Sequence, residues 1–328
     1  GLYVHHRHQE SGLDRIVNQP GLTAAIRRIE LLARRDPGSR GLASFSDTSH
    51  LLSAASELLS GSRVILVTGF CIRAAMIGET DGPSGTLAVA DALRQLGKEV
   101  VLVTDKHSAD LLTAGAAVFG EALPMVTLSL AQDEADREMD ALLSSFSPTQ
   151  VVAIERPGSA ADGHRYSMRG EVLDDLVPAT DRLLEPPWQR LYKTLAIGDG
   201  GNELGFGSLR ESLKERVAHG DLIFCSTPAD YLIPAGISNW GAFALVAALS
   251  LLSGRSLIRS PEHEHAVLQA IVAAGAVDGC TRKRELSVDG LAWDDYASTL
   301  AGIHAEACRM LGASCLAGES APASVLPI

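Results

Sequence analysis

Gly78-Glu79-Thr80-Asp81-Gly82-Pro83-Ser84-Gly85 joins two segments of opposite character. Ahead of it, residues 63–70 form a short, nearly continuous apolar run rich in β-branched side chains, the pattern of a strand buried on both faces. Behind it, residues 85–96 have helical spacing. Pro83 suits the first position of a helix, where a missing N–H costs nothing. A strand, a polar glycine-rich connection and a helix make the first unit of a parallel α/β sheet. The free N–H groups and positive dipole end of such a helix start attract an anion. Residues 78–85 therefore read as one wall of a site for a small carboxylate-bearing molecule.

The same alternation continues along the chain. Buried strands are expected at 99–104, 124–130, 150–154, 194–197 and 222–225, with helices at 108–117, 134–146, 209–218, 239–252, 261–274 and 293–311. A further apolar stretch covers 229–237. Before the first strand, amphipathic helices are expected at 22–35 and from an Asp47 or Thr48 cap to about residue 59, with an Asp36-Pro37-Gly38 break between them. The irregular insertion 159–193 holds one short helix near 170–176. The fold predicted is α/β, a doubly wound, mostly parallel sheet flanked by helices in a Rossmann-like three-layer arrangement. Residues 1–62 are N-terminal helices packing on the core and 63–328 the α/β catalytic domain, together one continuous domain.

Composition bounds the chemistry. The chain has 328 residues, and its net charge of -12 argues against nucleic acid as a partner, because phosphate contacts need clustered Lys and Arg. No apolar run approaches the roughly 20 residues that span a bilayer. The odd, scattered set Cys71, Cys225, Cys280, Cys308 and Cys315 argues against a disulfide framework or a zinc site and suggests a reducing, cytoplasmic setting. Cys71 reads as a small buried hydrophobe. His5, His6 and His8 read as a frayed terminus, and Gly1 in place of an initiator methionine suggests trimming. A homo-oligomer stays open.

In open α/β sheets ligands bind beyond the carboxyl ends of the strands. The polar clusters lie there: Glu79 and Asp81, Asp105, Glu155 and Arg156, then Asp199, Asn202 and Glu203 within the glycine-rich run 198–207. Glycine at that density brings backbone close to a ligand, and the acids between can orient an amine, hold a divalent cation or pass protons. Arg156 and Arg169 could grip a carboxylate by a bidentate fork. The helix 239–252 opens with Ser238 or Asn239 as its cap. A dinucleotide site competes, since Asp105 falls where a ribose-binding acid would. The long 69–83 loop and the missing G-x-G-x-x-G pattern oppose it.

Thr68-Gly69-Phe70, Glu79-Thr80-Asp81-Gly82-Pro83, Glu155-Arg156-Pro157-Gly158, Met168-Arg169-Gly170 and Gly198-Asp199-Gly200-Gly201-Asn202-Glu203-Leu204-Gly205 together resemble the C-terminal domain of the D-glutamate cyclase family. Ala229-Asp230-Tyr231, Ser238-Asn239-Trp240-Gly241, Val277-Asp278-Gly279 and Val288-Asp289-Gly290 extend the likeness over most of the chain. The resemblance implies a hydro-lyase that cyclises D-glutamate, or a close acidic amino acid, to 5-oxo-D-proline and water. The alternative is a nucleotide- or NAD-binding or non-catalytic small-carboxylate-binding protein on the same sheet. The catalytic candidates are Glu79, Asp81, Asp199 and Glu203. Substrate binding falls to Thr80, Gly82, Ser84, Gly85, Glu155, Arg156, Arg169, Gly200, Gly201, Asn202 and Asn239. No organic cofactor is expected; a divalent cation, Mg or Mn, is left open, with Asp81, Asp199 and Glu203 as its candidate ligands.

Overall fold

The computed structural model describes residues 15, 16, 19–37, 42, 50–312 and 315. The expected Asp47 or Thr48 cap and the His5, His6 and His8 cluster lie outside the described residues. Helices α1 (Leu22–Ala33) and α2 (Leu51–Ser60) precede strand β1 (Arg63–Thr68). A small hairpin follows, β2 (Cys71–Ile72) against β3 (Ile77–Gly78), where the sequence suggested only a loop. Then come α3 (Pro83–Gln95), β4 (Glu99–Asp105), α4 (Ala109–Val118), β5 (Met125–Leu128), α5 (Gln132–Phe146) and β6 (Gln150–Ile154). After the irregular insertion lie β7 (Lys193–Gly198), short helices α6 (Arg210–Leu213) and α7 (Gly220–Ile223), β8 (Tyr231–Pro234) and α8 (Ser238–Ser253). The chain closes with α9 (Pro261–Ala273), the two-residue strands β9 (Ser287–Val288) and β10 (Leu291–Ala292), and α10 (Trp293–Leu311).

Six strands make one sheet in the order β5-β4-β1-β6-β7-β8, every pair parallel. Setting the hairpin aside, this is the doubly wound order 3-2-1-4-5-6, which reverses between β1 and β6. The period-2 alternation of β1 divides the interior. Val64 and Leu66 join the core under α1 to α4 and α8 to α10, while Ile65 and Val67 join the core beneath α5 and the insertion. Each such fully buried side chain contributes about 1.5–3 kcal/mol by burial. Helix α8 is buried from Ser238 to Leu252, and its composition of Ala, Leu, Val and Gly has no polar face because it needs none. Gly241 lets it lie on β7, since a Cβ there would come 2.7 Å from Ile197 Cγ2.

Three local expectations are corrected. Residues 222–225 are not a strand: α7 ends at Ile223, and the sixth strand is β8, within the apolar stretch 229–237. Ile223, Phe224 and Cys225 are buried because the turn packs them into the core, with Phe224 edge-on to Phe206. The helix at 209–218 is broken into a 3-10 turn (Gly207–Leu209), α6 and a second 3-10 turn (Lys214–Arg216). Residues 170–176 form turns rather than a helix. There Asp174 accepts from Arg165 N at 2.9 Å and Gly170 sits at φ 81°, a left-handed position that breaks a helix. The cysteines also differ from a wholly free set. Cys308 in α10 is joined to Cys315, with the Cα atoms 5.1 Å apart. Cys71 and Cys225 are buried thiols and Cys280 an exposed one.

Candidate active site

A cavity of about 460 Å³ opens over the carboxyl ends of the strands, at the point where the strand order reverses. Phe70 and Cys71 follow β1, Glu155 follows β6, and Asp199 and Asn202 follow β7; all line it. Glu79 enters from the hairpin, Met168 and Arg169 from the insertion, and Gly279, Arg282 and Asp289 from the segment before α10. Burial pushes the Cys71 thiol up to about 12, so it lines the cavity as an apolar wall and not as a nucleophile.

The floor is acidic. Oxygens of Glu79, Asp81 and Glu155 lie within 4.8 Å of one another, as do those of Asp81, Asp199 and Asp289, and those of Glu155, Asp199 and Glu203. Six carboxylates thus form one connected cluster, and five of them are buried. Burial, then the neighbouring charges of Asp289 and Asp199, holds Asp81 well above the usual carboxylate range. Burial, then Asp199 and Glu203, does the same to Glu155. Burial, reinforced by Asp199, raises Glu203 to about 7, against three backbone N–H groups that favour its ionised form. Among the described residues no Lys or Arg ion-pairs with Asp81, Glu155 or Glu203, so nothing cationic offsets these terms.

Two helix starts meet at this floor and cap each other. Asn239 Oδ1 accepts from Gly82 N and Gly85 N, both at 2.9 Å, closing the start of α3. In return Asp81 accepts from Asn239 N at 2.8 Å and Ser238 N at 3.2 Å, closing the start of α8. The cap of α8 is therefore borrowed from the other loop, not supplied by Ser238 or Asn239. Gly82 and Gly85 spend their N–H groups on Asn239, which corrects the expectation that this helix start receives the substrate's carboxylate. Gly85 also gives α8 its close approach, for a Cβ there would fall 2.7 Å from Ala242 Cβ.

The remaining expected residues divide sharply. Glu79, Glu155, Arg169, Asp199 and Asn202 line the cavity. Asp81 lies directly behind Glu79 and Asp199 in the acidic cluster. Arg156 does not reach the cavity, and its expected grip on substrate is corrected. It is fully buried, paired with Asp105 at 2.6 Å, and donates to Gly69 O, Pro178 O and Thr180 Oγ1. Asp105, at the end of β4, requires a buried counter-charge, and the guanidinium fork ties the ends of β1, β4 and β6 around it. Glu203 turns inward, accepting from Asp199 N, Gly200 N and Gly201 N at 2.7–3.0 Å, and so shapes the glycine-rich loop. Gly200 passes under Met168, since a Cβ would meet its Sδ at 2.7 Å, and Gly201 needs its φ of 99°. Asn202 donates to Tyr166 O at 2.8 Å and fixes the insertion. Thr80 Oγ1 donates to Ser287 O at 2.7 Å, and Ser84 is buried behind the floor without a hydrogen-bond partner among the described residues.

Ser238, Arg282 and Asp289 are site residues that sequence reasoning passed over. Ser238 is a hub: its hydroxyl donates to Glu155 and lies 3.4 Å from Asp199 Oδ2, and its N–H faces both Asp81 and Asp199. The available signal was the repeated triplet Val277-Asp278-Gly279 and Val288-Asp289-Gly290, which lies outside the strands expected from the sequence. Backbone strain marks the same places. Glu155, Arg282 and Asp289 hold φ of 46°, 63° and 50°, and all three line the cavity.

Residues 29–304 match the family model described as "D-glutamate cyclase-like, C-terminal". The human protein "D-glutamate cyclase, mitochondrial" is 33% identical over 261 residues, which is 76% of this chain and 42% of that relative. The chain therefore spans less than half the length of the relative. Among the described residues no helix is long and apolar enough to cross a membrane. With the family model covering most of its length and every motif of the floor inside the matched span, the chain belongs to the D-glutamate cyclase-like family, as its C-terminal domain.

Proposed function

We propose that the chain is a hydro-lyase that converts D-glutamate, or a close acidic amino acid, into 5-oxo-D-proline and water. The observation that carries this reading is a small cavity with a buried acidic floor and arginines in its walls. Such a site complements a molecule with one ammonium and two carboxylates. The ammonium faces the acids, and a surviving carboxylate faces a guanidinium.

The reaction moves two protons from nitrogen to the departing oxygen as a carbon–nitrogen bond forms and a carbon–oxygen bond breaks. Asp199 lines the cavity and accepts from Ser238 N and Oγ, and in this reading it takes the proton from the ammonium. The freed amine attacks the γ-carboxyl carbon. Glu155, kept protonated to higher pH by burial, delivers one proton to the leaving oxygen and Asp199 passes it the other. The second proton lost by the nitrogen restores Glu155 through the Ser238 hydroxyl that joins the two acids, so that water leaves and both acids return to their starting states. A cavity of this size holds the substrate curled, which supplies rate through proximity.

The three overlapping carboxylate triads offer only oxygen donors and suit a hard divalent cation such as Mg or Mn. Asp81, Asp199 and Asp289 would hold it, with Glu79 and Glu155 beside them. Bound there, such an ion would offset the negative charge of the substrate's γ-carboxylate.

A nucleotide-binding reading draws on the strand order alone. The α3 N–H groups that would meet a pyrophosphate are taken by Asn239, and the acidic floor repels phosphate. Incubation with D-glutamate, with and without Mg²⁺ or Mn²⁺, gives a product lighter by one water in the mass spectrum. Thermal stabilisation by NAD(P) without any cyclised product would overturn the lyase reading.

A further inference from the structure

The wall opposite the insertion is built from residues 277–290, and its construction is centred on Asp278. Its carboxylate accepts from Cys280 N, Thr281 N, Ser287 Oγ and Gly290 N at 2.5–3.0 Å, while Asp278 O accepts from Arg282 N at 2.7 Å. One buried side chain thus fixes the loop from both ends. The loop is also registered against the floor. Glu79 bridges Val277, Thr80 N donates to Val277 O at 2.9 Å, and a Cβ on Gly279 would lie 1.9 Å from Glu79 Oε2. Only glycine allows that backbone to rest on the Glu79 carboxylate.

Arg282 stands three residues further on, lines the cavity, and holds a left-handed φ of 63° that a non-glycine residue adopts at a cost of about 1–3 kcal/mol. Its guanidinium forms no salt bridge among the described residues, whereas the neighbouring Arg73 is paired with Asp175. Arg169 also lines the cavity without a salt bridge, but Arg282 alone of the two has its backbone held in a strained conformation beside the acidic floor, so that its exposed side chain is an anion subsite in waiting.

We infer that Arg282 is the specificity-determining residue of this site, holding the carboxylate that survives the reaction while the acidic floor works on the other end. The inference rests on the lyase reading for the identity of the substrate, but the subsite itself does not depend on turnover. The Asp278-centred loop holds the Arg282 backbone beside the floor, so the site favours amino acids that carry a second carboxylate for the guanidinium to meet. A monocarboxylic amine such as 4-aminobutanoate lacks the group that Arg282 holds.

The test compares wild type, Arg282→Ala and Arg282→Lys, each with D-glutamate, glutarate and 4-aminobutanoate, by calorimetric binding and by mass-detected cyclisation. Arg282→Ala should raise the KM for D-glutamate at least tenfold with kcat changed far less, weaken glutarate binding by a similar factor, and leave 4-aminobutanoate binding unaltered. Arg282→Lys should restore part of the loss. Equal losses for all three ligands, or wild-type kinetics in Arg282→Ala, would overturn the inference and leave the lyase reading standing. Glutarate binding that depends on Arg282, in a protein that cyclises nothing, would remove the lyase reading and keep the subsite.

Discussion

Two buried groups of charge lie at the carboxyl end of the same sheet and follow opposite rules. Arg156 and Asp105 close on each other, and all three guanidinium nitrogens also donate to a carbonyl or hydroxyl. Across β6, Glu79, Asp81, Glu155 and Asp199 are gathered with one another, and backbone N–H groups and the Ser238 hydroxyl donate to Asp81 and Glu155. A saturated pair has nothing left for a ligand, so it serves the strand ends. A crowd of carboxylates whose mutual repulsion is tolerated keeps its attraction for an incoming cation or ammonium.

That contrast can be broken experimentally. The largest effect falls on activity: Asp199→Asn should lower turnover by about 10²–10⁴-fold, the usual scale for a lost acid–base group, with the thermal midpoint unchanged or raised. Steady-state kinetics beside a melting curve checks it; unimpaired turnover would move Asp199 to the structural side. Next, Arg156→Met should cost about 3–5 kcal/mol of stability, because Asp105 is left buried and alone. Chemical denaturation measures that loss, and a stable variant with a damaged active site would reverse the division drawn between the two groups.

Asn239→Ala should cost about 1–2 kcal/mol by uncapping α3, with a smaller fall in turnover through the displaced Asp81. The remaining test is a pH dependence. Glu203 binds its proton up to about 7 in the folded protein and only to its ordinary 4.5 when unfolded, and Glu155 and Asp81 shift the same way. The folded state holds the extra protons in that window, so the stabilisation is complete below 4.5 and is lost as pH rises through 7. Melting scans should show the midpoint falling across that range, about 2–4 °C for each ~1 kcal/mol lost. Glu155→Gln should flatten the slope.

The sheet was legible because parallel strands buried on both faces read as apolar runs, and β1, β4, β6 and β7 all do. The run at 222–225 misled because burial alone does not make a strand. The edge of β7 has room for one neighbour, and β8 takes it. Glu79, Asp81, Glu155 and Asp199 were legible as acids beside glycines at strand ends. Arg282 and Asp289 were not, because their place depends on a hydrogen bond from Thr80 to Ser287, across 207 residues of chain. Arg156 misled for the converse reason: a cation next to a site acid looks like a ligand group until its partner, Asp105, comes from another strand.

The reciprocal capping at Asp81 and Asn239 bears on how the protein assembles. Each helix is finished by a residue that begins the other, across 157 or 158 positions. A chain truncated before Ser238 holds the first loop intact in sequence, yet leaves Gly82 N, Gly85 N and the Asp81 carboxylate without these partners. Long-range contacts of this kind form late, after loop closure has been met elsewhere. The acidic floor therefore needs both loops at once: neither can complete its helix start without the other.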